Sequence, residues 1–354
     1  MLETDESLFA VSNQWLQDFE KSITDSDYES LTVLFHDDCH WRDLLAFTWH
    51  IQTVSGIEKI KNALKFHNPN VKPSGFKVDS HRTAPRIVTR AGEEVIEAIF
   101  CFETKFGQGS GVLRLLPVSK NNDPLKAWTF VTVLDELSGF GEQIGKKRPK
   151  GDAYSRDFQG PNWLDERNTA IAYADRDPAV IVVGGGQAGL SIAARLRQLN
   201  VDALVVDREK RIGDNWRSRY HRLTLHNQVH VNHLPYMPFP PSWPAYIPKD
   251  KLANWFEAYA ESMEINFWTE TEFRGGTYDQ NNENWSVVLH KDGCETRKIH
   301  PRHIVMATGV SGVPKFPEIP SLQKFGGQII HSSEYKNGKD WKGSRVLIIG
   351  SGTS

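Results

Sequence analysis

Cysteine is scarce: Cys39, Cys101 and Cys294 are the only three in 354 residues, and they stand far apart with no CxxC spacing. That excludes a disulfide framework and a cysteine-built zinc site, and it fits a reducing compartment. Neither sign of charge is in excess, with 42 Lys and Arg against 44 Asp and Glu. A surface so balanced carries no electrostatic footprint for nucleic acid or for an anionic membrane, and neither partner is expected. Apolar runs long enough to span a bilayer are missing as well, and the opening MLETDESLFA is acidic where a signal or transit peptide would be basic. The expectation is a cytoplasmic protein.

What the chain holds in quantity is core material. Apolar residues make up 39%, with 11 Trp and 18 Phe, enough for two or three domains. Leu8, Val11, Trp15 and Phe19 step by three and four, the stripe of an amphipathic helix. After it, VIEAIFCFET (95–104), GSGVLRLLPV (109–118) and KAWTFVTVLDEL (126–137) are rich in β-branched and aromatic residues and are joined by turn residues, notably KNND at 120–123. Residues 1–140 are therefore predicted to curl an antiparallel sheet around a helix. From Ser138 to about Asp177 the periodicity dissolves into glycine, proline and charge, so 141–177 reads as a linker. Its cluster Lys146, Lys147, Arg148 and Lys150 reads as solvated linker charge rather than a nuclear signal.

The strongest signal is AVIVVGGGQAGLSIAARLRQLNVDALVVDRE. An apolar strand, Val180–Val183, runs into Gly184-x-Gly186-x-x-Gly189, with Gln187 and Ala188 before the last glycine, and then into a helical stretch, Leu190–Leu199. A second strand, Ala203–Val206, ends at Asp207 and Arg208. Strand, glycines, helix and acid in this order form a dinucleotide-binding turn. Gly184 permits the tight turn, Gly186 lets the backbone approach a pyrophosphate, and Gly189 lets helix pack on strand; Asp207 accepts from a ribose diol. The motif does not separate a nicotinamide from a flavin dinucleotide, since both present the same ADP half.

Motifs farther along the chain separate them. Gly213-x-x-Trp216, Ala307-Thr308-Gly309, Phe325-x-Gly327-x3-His331-x3-Tyr335 and the closing VLIIGSGTS occur in an order that resembles the class B flavin-dependent monooxygenases, most closely the flavin-containing branch that includes the YUCCA-type enzymes of plants. Tyr335 resembles that branch rather than the Baeyer-Villiger branch, which carries Trp there. The resemblance covers about Pro178 to Ser354. It implies FAD held by Gly184, Gly186, Gln187, Ala188, Gly189 and Arg208, its ribose by Asp207, Trp216, Thr308 and Gly309 near the flavin, and His226 and Asn227 as the catalytic residues at its edge. His226 stands where the broader family has Asn, with Asn227 beside it. Gly350 and Gly352 would open the NADPH-binding turn. The implied activity is an FAD- and NADPH-dependent monooxygenation through a C4a-hydroperoxyflavin, with molecular oxygen and a small-molecule substrate: a nitrogen or sulfur nucleophile, or a 2-oxo acid. A homodimer is left open. Residues 1–140 resemble the nuclear-transport-factor-2-like and SnoaL-like domains.

The expected fold class is thus an α+β cone-like N-terminal domain (1–140), a linker (141–177) and an incomplete α/β Rossmann-type FAD-binding domain (178–345), with 346–354 beginning an NADPH-binding domain that the chain cuts short. The rival is an inactive or fragmentary flavoprotein whose N-terminal domain is a binding module. Flavin disulfide reductases share both turns but need a close cysteine pair, which the sequence lacks. His221, His226, His230 and His233 invite a metal, but the prolines at 235, 238, 240 and 241 crowd the segment, no carboxylate falls within it, and no metal is expected. His331 reads as structural. Asp38, His40, Arg42 and Asp43 cluster in sequence; strand alternation lets at most two share a pocket, and solvated charge and ion pairing is the expectation. Leu252, Phe256, Tyr259 and Met263 mark one more packed helix.

Overall fold

The computed structural model describes residues 5–117, 124–149, 159–293, 295–310 and 312–350. KNND at 120–123, Lys150, Cys294 and Gly352 lie outside the described residues. The chain divides into two compact units, Met1–Gly141 and Glu142–Ser354.

The first unit opens with α1 (Asp5–Thr24), whose stripe buries Leu8, Trp15, Leu16, Phe19 and Ile23. Then come α2 (Leu31–Leu34), β1 (Phe35–Leu44), β2 (Ile51–Ser55), α3 (Ile57–Val71), β3 (Ser74–Val78), β4 (Arg86–Arg90), β5 (Glu93–Thr104), β6 (Gly107–Pro117) and β7 (Leu125–Leu137). The strands form one sheet in the order β2-β1-β7-β6-β5-β3, with β4 also on β5. All pairs are antiparallel except β1 with β7. Register shifts in β1, β3 and β6 bend it. One face carries the core: Phe19, Phe100 and Phe130 cluster, with Phe100 stacked on Phe130 at 5.1 Å. Gly109 and Gly111 of β6 leave that face open for the rings of Phe102 and Phe100, which a Cβ would strike at 2.5 and 2.2 Å.

Within this core Asp43 departs from the expectation of solvated charge, being 1% exposed. Its carboxylate accepts from the Phe47 and Thr48 amides and from the hydroxyls of Thr48 and Thr132, and Trp41 Nε1 donates to Thr132 Oγ1. A carboxylate is tolerated there because four donors replace its water. Asp38 and His40 do pair, at 3.4 Å and exposed.

The second unit contains α4 (Trp163–Ala172), β8 (Val180–Val183), α5 (Gln187–Gln198), β9 (Ala203–Val206), α6 (Asp214–Arg217), α7 (Lys249–Ser262), β10 (Asn266–Trp268), β11 (Thr271–Asp279), β12 (Asn284–Lys291), β13 (Glu295–Ile299) and β14 (His303–Met306). The order β10-β9-β8-β14 makes an all-parallel sheet; β11, β12 and β13 make a small antiparallel one. Every residue of β8 and β9 is buried, as expected of parallel strands covered on both faces. α7 buries Leu252, Phe256 and Tyr259 against them.

Two sequence expectations need correcting. The stretch read as a linker contains α4, closed by a capping box between Asn162 and Asp165. It lacked a readable period because it fully buries none of its residues; polar bonds hold it, Trp163 Nε1 to Glu264 at 2.7 Å and Arg167 to Asn266 at 2.9 Å. Just after it, the Tyr173 hydroxyl donates to Asp202 at 2.6 Å and accepts from Asn266; burial first, and the Asp202 bond second, push its phenol well above the ordinary tyrosine range. Conversely, Val346–Ile349, the apolar run ahead of the expected NADPH-binding turn, pairs as a strand with none of the described residues, and Leu347 and Ile348 are over 80% exposed. A β-prone run needs a neighbouring strand to become one.

Candidate dinucleotide site

The site is built where β8 ends. Gly184 has φ +104°, in the region that favours glycine, and a Cβ on it would lie 2.5 Å from the Ala307 carbonyl oxygen and 3.3 Å from Thr308 Cα. The Ala307 amide in turn donates to Val183 O at 2.8 Å. The turn and the Ala307-Thr308-Gly309 segment, distant in sequence, are therefore brought together at the carboxyl ends of β8 and β14. A Cβ on Gly189 would sit 1.9 Å from Gly184 O, so only glycine lets α5 close onto the turn. Gly186 is the N-cap of α5 and offers no side chain, while Gln187 and Ala188 are exposed in the first turn, which contains no acid. The free amides and positive end of that helix suit an anion.

Asp207 closes β9 beside the turn. Its Oδ2 accepts from the Gly185 amide at 2.6 Å and its Oδ1 from the Glu209 amide at 2.9 Å. Each oxygen retains a lone pair, so a carboxylate fixed in this way still accepts from a diol. Arg208 is largely exposed, and its guanidinium donates to Gly312 O at 3.0 Å, tying it to the segment after Gly309. Gly309 has φ +74° and, like Thr308, is exposed.

The residue that sequence reasoning missed is Asn215. It lies on α6, which Gly213 starts in the left-handed region, and its Nδ2 is 3.2 Å from where a Gly186 Cβ would be. Asn215 Oδ1 and the neighbouring Trp216 Nε1 are shielded from solvent and have no hydrogen-bond partner among the described residues. α6 is buttressed by Arg217, which bonds Asp214 and Glu257, and by Arg211, whose hydrogen bonds to the Glu257 carboxylate push it above the usual arginine range. The only sequence signal for Asn215 was its place beside Trp216. Gly185 was missed too; it fills the variable position of the motif, and a Cβ there would meet the Phe267 ring at 2.2 Å.

The remaining expected residues are farther from this geometry. His226 and Asn227 are exposed, and no hydrogen bond among the described residues joins either side chain to the turn. Their loop is pinned by Leu225 N to Ile247 O and Val229 N to Ala245 O. The fingerprint around His331 reaches α6 by another route: the His221 amide donates to Lys336 O at 2.7 Å, Lys336 Nζ donates to Ser218 O at 2.5 Å, and the Tyr220 and Tyr335 rings are 6.2 Å apart. His331 itself pairs locally with Ser333 Oγ. Gly350 has φ +130° and is exposed. Among the described residues no three His, Cys, Asp or Glu side chains gather as a metal site, and no helix is long and apolar enough to cross a membrane.

A parallel strand-turn-helix-strand unit with a glycine cradle and a fixed acid defines a dinucleotide-binding α/β fold. A family model described as flavin-binding monooxygenase-like matches residues 177–354, half of the chain, and the chain belongs to that family. It is similar to the probable indole-3-pyruvate monooxygenase YUCCA10 of Arabidopsis thaliana, 33% identical over 180 residues, covering 50% of this chain and 47% of that protein. It is also similar to the indole-3-pyruvate monooxygenase YUCCA1 of Oryza sativa subsp. japonica, 36% identical over 178 residues and covering 50% and 43%. The chain thus spans about half the length of the curated relatives it matches. Among solved structures, a flavin-containing monooxygenase from Stenotrophomonas maltophilia is 25% identical with a TM-score of 0.44, over 48% of this chain and 49% of that one.

Proposed function

We propose that the second unit binds FAD at the Gly184–Gly189 turn and serves an NADPH-dependent monooxygenase. The observation that carries this reading is the cradle itself: a turn that only glycines permit, closed by a fixed Asp207 and approached at Gly186 by the Asn215 amide nitrogen of α6, which also holds a buried acceptor, Asn215 Oδ1, and a buried donor, Trp216 Nε1, without partners among the described residues. Orphaned groups of both kinds cost free energy unless a ligand satisfies them, and a dinucleotide with hydroxyls and phosphate oxygens offers partners to each.

In this reading the amides at the start of α5 hold the pyrophosphate, Asp207 holds the adenosine ribose, Asn215 and Trp216 bond the polar middle of the cofactor, and Thr308 and Gly309 border the ring. Bound there, the flavin supplies two-electron transfer from NADPH and activation of oxygen, chemistry that side chains lack. The protein's part is to bind, orient and exclude water. His226 and Asn227 serve as substrate-side polar groups, and the turn containing Gly350 meets NADPH. The named activity of the relatives favours a 2-oxo acid over a nitrogen or sulfur nucleophile as substrate. For the first unit, three helices whose residues share one core with a bent mixed sheet support a nuclear-transport-factor-2-like module.

The test is the visible absorbance of the purified 354-residue chain and its response to NADPH without oxygen. A bound flavin that NADPH bleaches is the expected result. A colourless chain that takes up no added FAD overturns the reading.

A further inference from the structure

A second polar constellation lies on the first unit, on the sheet face opposite the aromatic core. Pairing registers align Arg86 with Glu97, Glu97 with Arg114, Arg114 with Thr129, Thr129 with His40 and His40 with Ser55. One row of polar side chains thus crosses six strands, β4-β5-β6-β7-β1-β2, while the alternate residues Ile96, Ala98, Leu113, Phe130 and Trp41 face the core. At its centre the Glu97 side chain is only 6% exposed, and three guanidinium groups saturate it. Arg86 Nη2 and Arg90 Nη2 donate to Oε1 at 2.9 and 2.8 Å; Arg90 Nε and Arg114 Nε donate to Oε2 at 3.0 and 2.9 Å.

Three cations gathered around one anion leave the cluster two charges in excess. Among the described residues no other carboxylate comes within ion-pair distance of the three arginines. Among the described residues Arg86 Nη1 and Thr129 Oγ1 are buried without a partner, and the Nη groups of Arg114 make no bond. Unused donors and uncompensated positive charge in a half-buried setting are the recognition chemistry of an oxyanion.

We propose that Arg86, Arg114 and Thr129 form a binding site for the oxyanion of a small acidic ligand, a phosphate or a carboxylate, with Glu97 as the internal anion that holds the guanidinium groups in place. Strands are spaced roughly 4.8 Å apart, so His40 lies two strands, roughly 10 Å, from Arg114 and meets the far end of a ligand of metabolite size.

Thermal unfolding of the 354-residue chain in inorganic phosphate, in succinate and in chloride, at matched pH and ionic strength, tests this. Phosphate or succinate should raise the midpoint saturably above chloride, and whichever does so identifies the headgroup. Arg114→Gln and Thr129→Val should each weaken the apparent affinity on the order of tenfold. Arg42→Gln, whose partner is Thr53, should leave it unchanged. Glu97→Gln removes the internal competitor: it should lower the midpoint in chloride yet tighten oxyanion binding, so that the oxyanion rescues the variant. An oxyanion effect no larger than that of chloride, an equal effect in the Arg114 and Thr129 variants, or a Glu97→Gln defect that no oxyanion repairs would each overturn the proposal.

Discussion

At the scale of single residues, the dinucleotide site divides into what backbone geometry dictates and what spatial neighbours dictate. Gly184 and Gly189 were legible in the sequence because no other residue fits their torsion or their contacts. Asn215 was not, because its meaning comes from Gly186, distant along the chain, where a Cβ would lie 3.2 Å from the Asn215 amide nitrogen. Its orphaned carbonyl leads to a prediction of unusual sign. A buried acceptor without a partner costs about 1–3 kcal/mol, so Asn215→Leu should leave the cofactor-free chain as stable as the parent or more so. The same change should weaken FAD binding on the order of tenfold, by removing the bond the cofactor would make. Urea unfolding without FAD, set beside a fluorescence titration with it, checks both halves. A variant that loses stability and keeps its affinity would make Asn215 a packing residue.

At the scale of elements, periodicity decided what could be read. α1 and α7 announce themselves through apolar stripes that they bury, and β8 and β9 through continuous apolar runs. α4 has no stripe, since its cap and its partners Glu264 and Asn266 hold it. The polar row of the first unit is invisible in one dimension, because only strand register aligns Ser55 with Arg86. That row also sets a pH response. Burial pushes the Glu97 carboxyl up, but the hydrogen bonds and charges of Arg90 and Arg114 outweigh it and hold the group below the ordinary glutamate value. A carboxyl lowered in the folded state contributes stability that is present above the unfolded value, about 4.3, and is lost as pH falls through the folded one. Acid titration of the parent should therefore show a destabilisation below about pH 4 that Glu97→Gln lacks; identical acid limbs would contradict the assignment.

At the scale of the whole molecule, two units with separate cores share one chain, and only the second carries the family match, over residues 177–354. The order of motifs was enough to reach that family from sequence. The placement of Thr308 against Gly184 had to come from the fold, since β14 returns beside β8 only after the antiparallel sheet has intervened. In the reading proposed above, this turn holds the ADP half of a flavin dinucleotide. The most direct measurement is an FAD titration of the chain followed by flavin fluorescence, with ADP-ribose and FMN as competitors. FAD should bind, ADP-ribose should displace it and FMN should not; displacement by FMN with ADP-ribose inert would show that the turn does not hold the ADP half.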